Sequence, residues 1–198
     1  MTTNVYIKQY FTGEINRREV FRYAGVSSPD ETHESLLDSV ACELGERILG
    51  KCTYTVIDPS EDRAELIGRM TESSHDFAKY CLEARLYLVF VCTAGYGIDS
   101  LIRRYNITSP ARALMLNAYG AERAERVADA LCEEIILQYS PLGYSAKSRF
   151  SPGYGDLSLD FQRDIFALLD PTSTIGVSLG KSMIMTPSKS ISAIVALT

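Results

Sequence analysis

Residues 85–93 read Arg-Leu-Tyr-Leu-Val-Phe-Val-Cys-Thr and form the most apolar run near the middle of the chain. A run this apolar, too short for a helix that spans a core, is typical of a strand buried on both faces. Ala94-Gly95-Tyr96-Gly97 follows and predicts a loop into a short helix. The chain therefore places a central strand near its middle.

A long helix is predicted next. Ser109-Pro110 forms an N-cap and first-turn pair, and the helical pattern extends to Tyr139 before Pro141 ends it. Within it a stripe of small residues would let another element approach closely. The stripe comprises Ala118, Ala121, Ala124 and Ala128.

The first 60 residues are predicted to be mainly helical. Asn16 and Glu19 stand as N-cap and capping-box partner before residues 17–23. A second helix begins after Asp30, and we expect Gly50 to close it as a C-cap. Residues 53–57 are rich in β-branched and aromatic side chains and predict one strand.

The carboxyl-terminal third is predicted to be a helix followed by sheet. Ser158 caps a helix through Leu169, which Asp170-Pro171 stops. From Ile175 onward apolar residues alternate with a period of two, as in strands. We therefore expect an α+β fold: a twisted, largely antiparallel sheet with a long helix across it. Residues 1–198 form one domain, with a helical part at 1–60 and a core at 61–198.

Composition excludes several classes of function. Of 198 residues 46% are hydrophobic, enough for a full core, and 20 basic residues against 25 acidic ones give a net charge of −5. This balance argues against nucleic acid as a partner, and the apolar runs are too short to cross a membrane. The amino terminus lacks the pattern of a secretory signal. Five cysteines, an odd number without a close pair, fit reduced thiols, so we expect a cytoplasmic protein.

Familiar catalytic motifs are missing from the sequence. Gly176 to Ser182 resembles a P-loop but has three residues between its glycines instead of four, so we interpret it as a hairpin turn with an exposed Lys181. His33 and His75 lack metal-ligand spacing, and we expect both on the surface. The cysteines are expected to pack in the core. We predict no catalytic residue and no metal site.

One segment does carry a functional signal: Arg149-Phe-Ser-Pro-Gly-Tyr-Gly-Asp156. A guanidinium offers a two-pronged donor to a carboxylate, and glycine lets a ligand touch the main chain. Tyr154 adds an aromatic face and a hydroxyl. This loop, residues 149–156, is our candidate site for a small ligand, although a Pro-Gly turn followed by an aromatic residue is also common on surfaces.

Two elements in this order resemble a known family. They are Arg149-x-x-Pro-Gly-Tyr154 and Ser182-Met-x-Met-x-Pro-x-x-Ser-x-Ser192, and the Ala-rich helix over residues 118–134 is also similar. All three resemble the activation domain of cobalamin-dependent methionine synthase. The first 90 residues look like those of short, stand-alone relatives.

The resemblance implies a function. In that family the domain binds S-adenosylmethionine and presents it to cobalamin that has lapsed into the cob(II) state. With an electron from a reductase, methylcobalamin is restored. By carry-over, Arg149 would hold the ligand's carboxylate, and Ser151, Gly153 and Tyr154 would line the adenosyl portion. Glu125 would face its cationic end.

Some features depart from the family. Leu179-Gly180-Lys181-Ser182 replaces an acidic family stretch, and Val195-Ala196 stands where the family has aromatic residues. The Asp-x-His-x-x-Gly signature of cobalamin-binding proteins is absent from these 198 residues. The resemblance therefore implies an accessory subunit, with cobalamin reached only through a partner methionine synthase or related corrinoid protein. The alternative is a non-catalytic docking or assembly module that has lost S-adenosylmethionine binding.

Overall fold

The computed structural model describes residues 4–45 and 48–198. Residues 1–3, part of the stretch on which the missing secretory signal was argued, lie outside that range. The strands are β1 (Tyr6–Phe11), β2 (Leu49–Ile57), β3 (Leu86–Thr93), β4 (Ser178–Leu179), β5 (Met185–Thr186) and β6 (Ser190–Leu197). The helices are α1 (Arg17–Tyr23), α2 (Glu31–Leu44), α3 (Glu65–Ser73), α4 (His75–Tyr80), α5 (Tyr96–Thr108), α6 (Pro110–Tyr139), α7 (Phe161–Leu169) and α8 (Pro171–Ile175). Short 3₁₀ turns lie at Asp62–Ala64 and Ser140–Leu142.

A four-stranded sheet with the order β1-β2-β3-β6 forms the centre, and every neighbouring pair is antiparallel. The predicted central strand is confirmed as β3. Its alternate residues Leu88, Phe90 and Cys92 pack under α6. Tyr87, Val89 and Val91 pack on the opposite face with α3, α4, α7 and α8. Because both faces are covered, the strand is apolar throughout.

Helix α6 crosses the sheet, as the sequence predicted. It approaches β2 so closely that a Cβ at Gly50 would lie 2.1 Å from Cγ2 of Val127. In the small-residue stripe Ala118, Ala124 and Ala128 are buried. The small side chains and Gly50 thus allow the short distance between helix and sheet. The position of α6 in turn determines where its acidic side chains lie.

The amino-terminal part contains α1 and α2 as predicted, but also two strands of the central sheet. The sequence analysis missed β1 and began its strand at residue 53, four residues late. The second helix ends at Gly45, which has a φ of +78°, and Gly50 lies inside β2. Gly50 was therefore the wrong C-cap: it is required by the contact with Val127 rather than by a helix end.

Two boundaries differ in the carboxyl-terminal third. Asp160 precedes α7, while the Ser158 hydroxyl accepts the Asp160 N–H at 3.2 Å. Ile175 ends α8 instead of starting a strand, since Pro171 begins that helix with Asp170 as its cap. The period of two is confirmed for β6. Lys181 lies exposed between β4 and β5, as the hairpin interpretation required.

A further segment runs along the outer edge of β6 and carries Arg149. Phe150 and Ile194 exchange backbone hydrogen bonds of 2.9 and 2.8 Å, and Ala146 bridges Leu197. The Phe150 ring points to the face of Phe77 and Tyr80, with centroids 5.3 and 5.0 Å away. The neighbouring Arg149 accordingly points to the other face, toward α6.

Candidate functional site

The Arg149 guanidinium is held between two carboxylates of α6. Its Nη2 lies 2.5 Å from Oε2 of Glu125 and its Nη1 lies 2.7 Å from Oδ1 of Asp129. The two acids are four residues apart and so share one face of the helix. Three-quarters of the Arg149 side chain is buried, whereas Glu125 and Asp129 are 40% and 39% exposed.

A second arginine stands beside this trio. Nη1 of Arg126 lies 3.8 Å from Oδ2 of Asp129, the oxygen that does not contact Arg149. Asp129 therefore lies between two guanidinium groups, one on its own helix and one on the edge of the sheet. Together these four residues, Glu125, Arg126, Asp129 and Arg149, form what we call the Arg149 cluster.

The Arg149 cluster opens into a concavity of about 340 Å³, at the small end of the range for ligand pockets. Its walls come from α6, from α1 and from the residue that caps α1. The lining residues are Asn16, Glu19, Tyr23, Glu122, Glu125, Arg126, Asp129 and Arg149. A larger concavity of about 840 Å³ lies between residues 13–17 and α2. We place the site at the smaller one because it contains the paired guanidinium.

Burial and charge shift the pKa values in the Arg149 cluster. Desolvation raises the pKa of Glu125 above its usual range; Arg149 opposes this shift and Asp129 adds to it. Burial acts to lower the pKa of Arg149, but the charges of Glu125 and Asp129 outweigh it and raise that pKa. The ion pair thus secures the positive charge of Arg149, while the carboxylate of Glu125 is held in an unfavourable environment.

The turn after Arg149 is rigidly built. The Tyr154 N–H donates to the Ser151 carbonyl at 3.0 Å, and the Gly153 N–H donates to the Leu157 carbonyl at 2.9 Å. Gly153 has a φ of +92°, a conformation that favours glycine. The Tyr154 ring is 58% exposed and lies 6.1 Å from that of Phe150.

Asp156 ties the end of this turn to α4. Its carboxylate accepts the backbone N–H groups of His75 and Asp76, at 2.9 and 3.1 Å, and the Ser74 hydroxyl. The Ser74 hydroxyl lowers the pKa of Asp156, with help from these N–H groups. The turn is therefore fixed at both ends, by β6 and by α4.

The five residues predicted from the sequence fall into two groups. Arg149 and Glu125 are in direct contact at the concavity. Ser151, Gly153 and Tyr154 form the adjoining turn. None of them lines the concavity, and the Tyr154 ring lies beside that of Phe150. Asp129 was missed, although its spacing of four residues from Glu125 on a helix was a usable signal.

The sequence analysis also missed a buried ion pair on α6. Arg123 is fully buried and its Nε donates to the carboxylate of Glu122, which is 2% exposed. Its other nitrogens donate to residues of the segment 12–14: to the Thr12 hydroxyl at 3.2 Å and to the Gly13 and Glu14 carbonyls at 3.0 Å. Oε1 of Glu122 accepts the Asn16 N–H at 3.1 Å. This pair attaches the segment before α1 to α6 and so shapes one wall of the concavity.

The cysteines and histidines add no further candidate. All five cysteines are free thiols; Cys52 and Cys92 are fully buried, whereas Cys42 is exposed, so core packing was the wrong expectation for Cys42. His33 completes the capping box of α2 with Asp30. Across residues 4–45 and 48–198, no group of three His, Cys, Asp or Glu side chains is placed to hold a metal ion. Within the same residues no helix is both long and apolar enough to span a bilayer.

Comparison with solved structures supports the architecture. The chain is similar to a crystal structure of the MetH reactivation domain bound to AdoHcy, with a TM-score of 0.65 and 14% sequence identity. The similarity covers 99% of this chain and 81% of that one. At this identity it establishes the fold.

The family follows from a match between the sequence and a family description. Residues 65–197 match "Vitamin B12 dependent methionine synthase, activation domain". Because the match spans about two-thirds of the chain, the protein belongs to this family. A search of curated proteins found no match. The matched region contains α6, Arg149 and the turn that follows, whereas Asn16, Glu19 and Tyr23, which also line the concavity, lie outside it.

Proposed function

We propose that this chain binds S-adenosylmethionine and presents its methyl group to cobalamin held by a methionine synthase or a related corrinoid protein. The family supports this proposal, as does the AdoHcy named for the structural neighbour. The observation that carries it is the pairing of Arg149 with Glu125 at the edge of a concavity. A guanidinium and a carboxylate side by side match the charges of an amino-acid group.

The side chains divide the ligand between them. Arg149 binds the α-carboxylate, for which a planar guanidinium offers two parallel donors. Glu125 faces the ammonium or sulfonium charge. The concavity is large enough for the amino-acid portion, and the adenosyl portion extends over the turn at Ser151, Gly153 and Tyr154. Tyr154 offers the ring face on which an adenine can stack.

The chemistry takes place on the partner's cofactor. Cobalamin, when bound there, would supply the cobalt that accepts the methyl group. A reductase would supply the one electron that this transfer needs. The sulfonium leaves as the neutral thioether, S-adenosylhomocysteine. The residues of this chain bind and orient the methyl donor. We assign the activity to the cytoplasm because all five cysteines are free thiols.

Calorimetric titration with S-adenosylmethionine tests the proposal. The wild-type protein should bind, and Arg149→Ala should bind at least about tenfold more weakly, because a charge-assisted contact is lost. Arg163→Ala is the matched control: this arginine is 62% exposed on α7, and its removal should leave binding unchanged. Equal affinity of wild type and Arg149→Ala would contradict the assignment, and no binding by the wild type would contradict the function.

The docking or assembly module is the second candidate, and one observation favours it. The Arg149 guanidinium already holds two carboxylates, as a purely structural residue would. In that case Arg149→Ala should associate with the corrinoid partner as the wild type does, and neither protein should support reactivation with S-adenosylmethionine. Under the first candidate the same variant should associate but lose reactivation, so one reactivation assay separates the two functions.

A further inference from the structure

Both terminal nitrogens of the Arg149 guanidinium already contact acids of the protein. Nη1 contacts the carboxylate of Asp129, and Nη2 contacts that of Glu125. A guanidinium has five N–H donors, so each terminal nitrogen keeps a second N–H. A ligand carboxylate that binds across the two terminal nitrogens nevertheless competes with these acids for the same edge of the guanidinium.

We propose that Asp129 sets the ligand affinity of this site by occupying Arg149 until the ligand's carboxylate replaces it. This inference rests on the proposed function, since the ligand is taken to be S-adenosylmethionine. Asp129 is a stand-in for the ligand carboxylate, with the same charge and the same contact. It is thus a determinant of affinity that the family resemblance did not supply.

The geometry singles out Asp129 as the acid that moves. Its Oδ2 is already 3.8 Å from Nη1 of Arg126, so a small rotation gives it a new partner as it leaves Arg149. Both groups lie on α6, three residues apart, and Arg126 is 42% exposed and free to adjust. The exchange requires no movement of the helix or of the strand-like segment that carries Arg149.

The count of charges is balanced before and after the exchange. Without ligand, Arg149 and Arg126 face Glu125 and Asp129. An amino-acid group adds one carboxylate and one ammonium. The carboxylate takes Arg149, the ammonium takes Glu125, and Asp129 moves to Arg126. Every charge of the Arg149 cluster and of the amino-acid group then has an opposite neighbour, which is what a partly buried site requires; the sulfonium charge is additional to this count.

The Asp129→Asn variant tests the inference, because it keeps the size of the side chain and removes the competing charge. Calorimetry should show S-adenosylmethionine bound about three- to tenfold more tightly than by the wild type, as expected when a partly exposed ion pair no longer competes. The direction is informative. Removing a negative charge from the protein should by itself weaken the attraction for a cationic ligand.

Two further variants separate this effect from others. Glu133→Gln neutralises an exposed acid one turn further along α6 and should leave the affinity unchanged. Arg126→Gln should weaken binding, since Asp129 loses the partner to which it moves. Urea unfolding of Asp129→Asn should show stability equal to or slightly below that of the wild type, so that affinity and stability change in opposite directions. A structural role alone would not produce that split.

Each result has a definite meaning. Affinity of Asp129→Asn equal to or weaker than that of the wild type overturns the inference and leaves the proposed function standing. An equal increase in the affinity of Glu133→Gln for S-adenosylmethionine also overturns it, because the effect would then come from overall charge. If neither the wild type nor any variant binds S-adenosylmethionine, the inference and the proposed function fall together.

Discussion

Helix α6 carries the acids of two arginine–carboxylate clusters within about two turns, and the two clusters differ in burial and in the partners of their arginines. Arg123 and Glu122 are 0% and 2% exposed, and their polar atoms are taken up by the segment 12–16. The Arg149 cluster has the same chemistry but faces a concavity, with its acids about 40% exposed. Residue type alone therefore does not distinguish a structural arginine from a ligand-binding one. The distinction depends on burial and on how many of its hydrogen-bond donors are satisfied within the protein.

The difference follows from the cost of burying charge. A buried pair is tolerated only when hydrogen bonds satisfy both groups, and such a pair cannot exchange partners without a large loss. A pair that solvent reaches is worth little in stability and exchanges partners readily. The first property suits attachment of the segment before α1, and the second suits a ligand site.

Replacing the buried arginine should have the largest effect. Arg123→Met leaves the Glu122 carboxylate buried without its partner, and we expect a loss of about 3–5 kcal/mol in the free energy of unfolding. Urea denaturation measures it. Arg163→Met, on the exposed face of α7, should change stability by less than about 0.5 kcal/mol. Similar losses for both variants would remove the contrast.

The spacing between α6 and the sheet comes next. Val127 lies on α6 between Arg126 and Asp129 of the Arg149 cluster and packs against Gly50, so Gly50→Ala must push the helix away from β2. We expect a loss of about 1–3 kcal/mol from overpacking. Gly68→Ala is the control, since a Cβ there meets nothing within 4 Å inside α3, and it should gain about 0.5–1 kcal/mol. A stable Gly50→Ala variant would show that α6 can shift.

Removing the partly buried guanidinium of Arg149 should cost less stability. Arg149→Leu gives up two contacts, but its partners stay hydrated, so we expect a loss of at most about 1 kcal/mol in the free energy of unfolding. Denaturation by urea and calorimetry on the same preparation then compare stability with ligand binding. A loss of stability as large as that of Arg123→Met would mean that the Arg149 cluster is structural.

The smallest effect concerns pH. Burial raises the pKa of Glu125 above 4.5, so the folded protein holds this proton more tightly than the unfolded chain does. Its contribution to stability is fully present below pH 4.5 and is lost as the pH rises through the folded-state pKa. The free energy of unfolding of Glu125→Gln, relative to that of the wild type, should therefore increase between pH 4 and pH 7.

Solvent screening limits this gain, because Glu125 is 40% exposed, and we expect about 0.3 kcal/mol. Urea midpoints of both proteins at the two pH values measure the difference. If instead the wild type becomes more stable relative to the variant as the pH rises, the ion pair with Arg149 outweighs desolvation. The Arg149 cluster would then resemble the buried Glu122–Arg123 pair more closely.

Sequence reasoning performed unevenly, for identifiable reasons. Strand β3 and helix α6 were predicted well because their apolar patterns are long and continuous. Strand β1 was missed, since five of its six residues are exposed and no buried periodicity marks it. Gly50 was mistaken for a helix cap because a glycine required by a close contact looks the same in sequence as a glycine required by a turn.

The candidate site shows the same division. Arg149 and its Pro-Gly-Tyr turn were found because they are contiguous in the chain. Glu125 came from family resemblance, and its contact with Arg149 across 24 residues is a property of the fold. Asp129 was missed although it follows Glu125 by four residues on the same helix. The Glu122–Arg123 pair was missed since nothing in its local sequence distinguishes it from the other charged residues of a long helix.

The central apolar strand, the long helix with its small-residue stripe and the turn at residues 151–154 are encoded in the local sequence, because each is marked by a continuous pattern of neighbouring residues. The packed fold alone establishes which acids meet Arg149, that Asp156 holds α4, and that the segment 12–16 is attached to Arg123. Those pairings join residues 20 to 111 positions apart, and their free energy exists only once the sheet and α6 have packed.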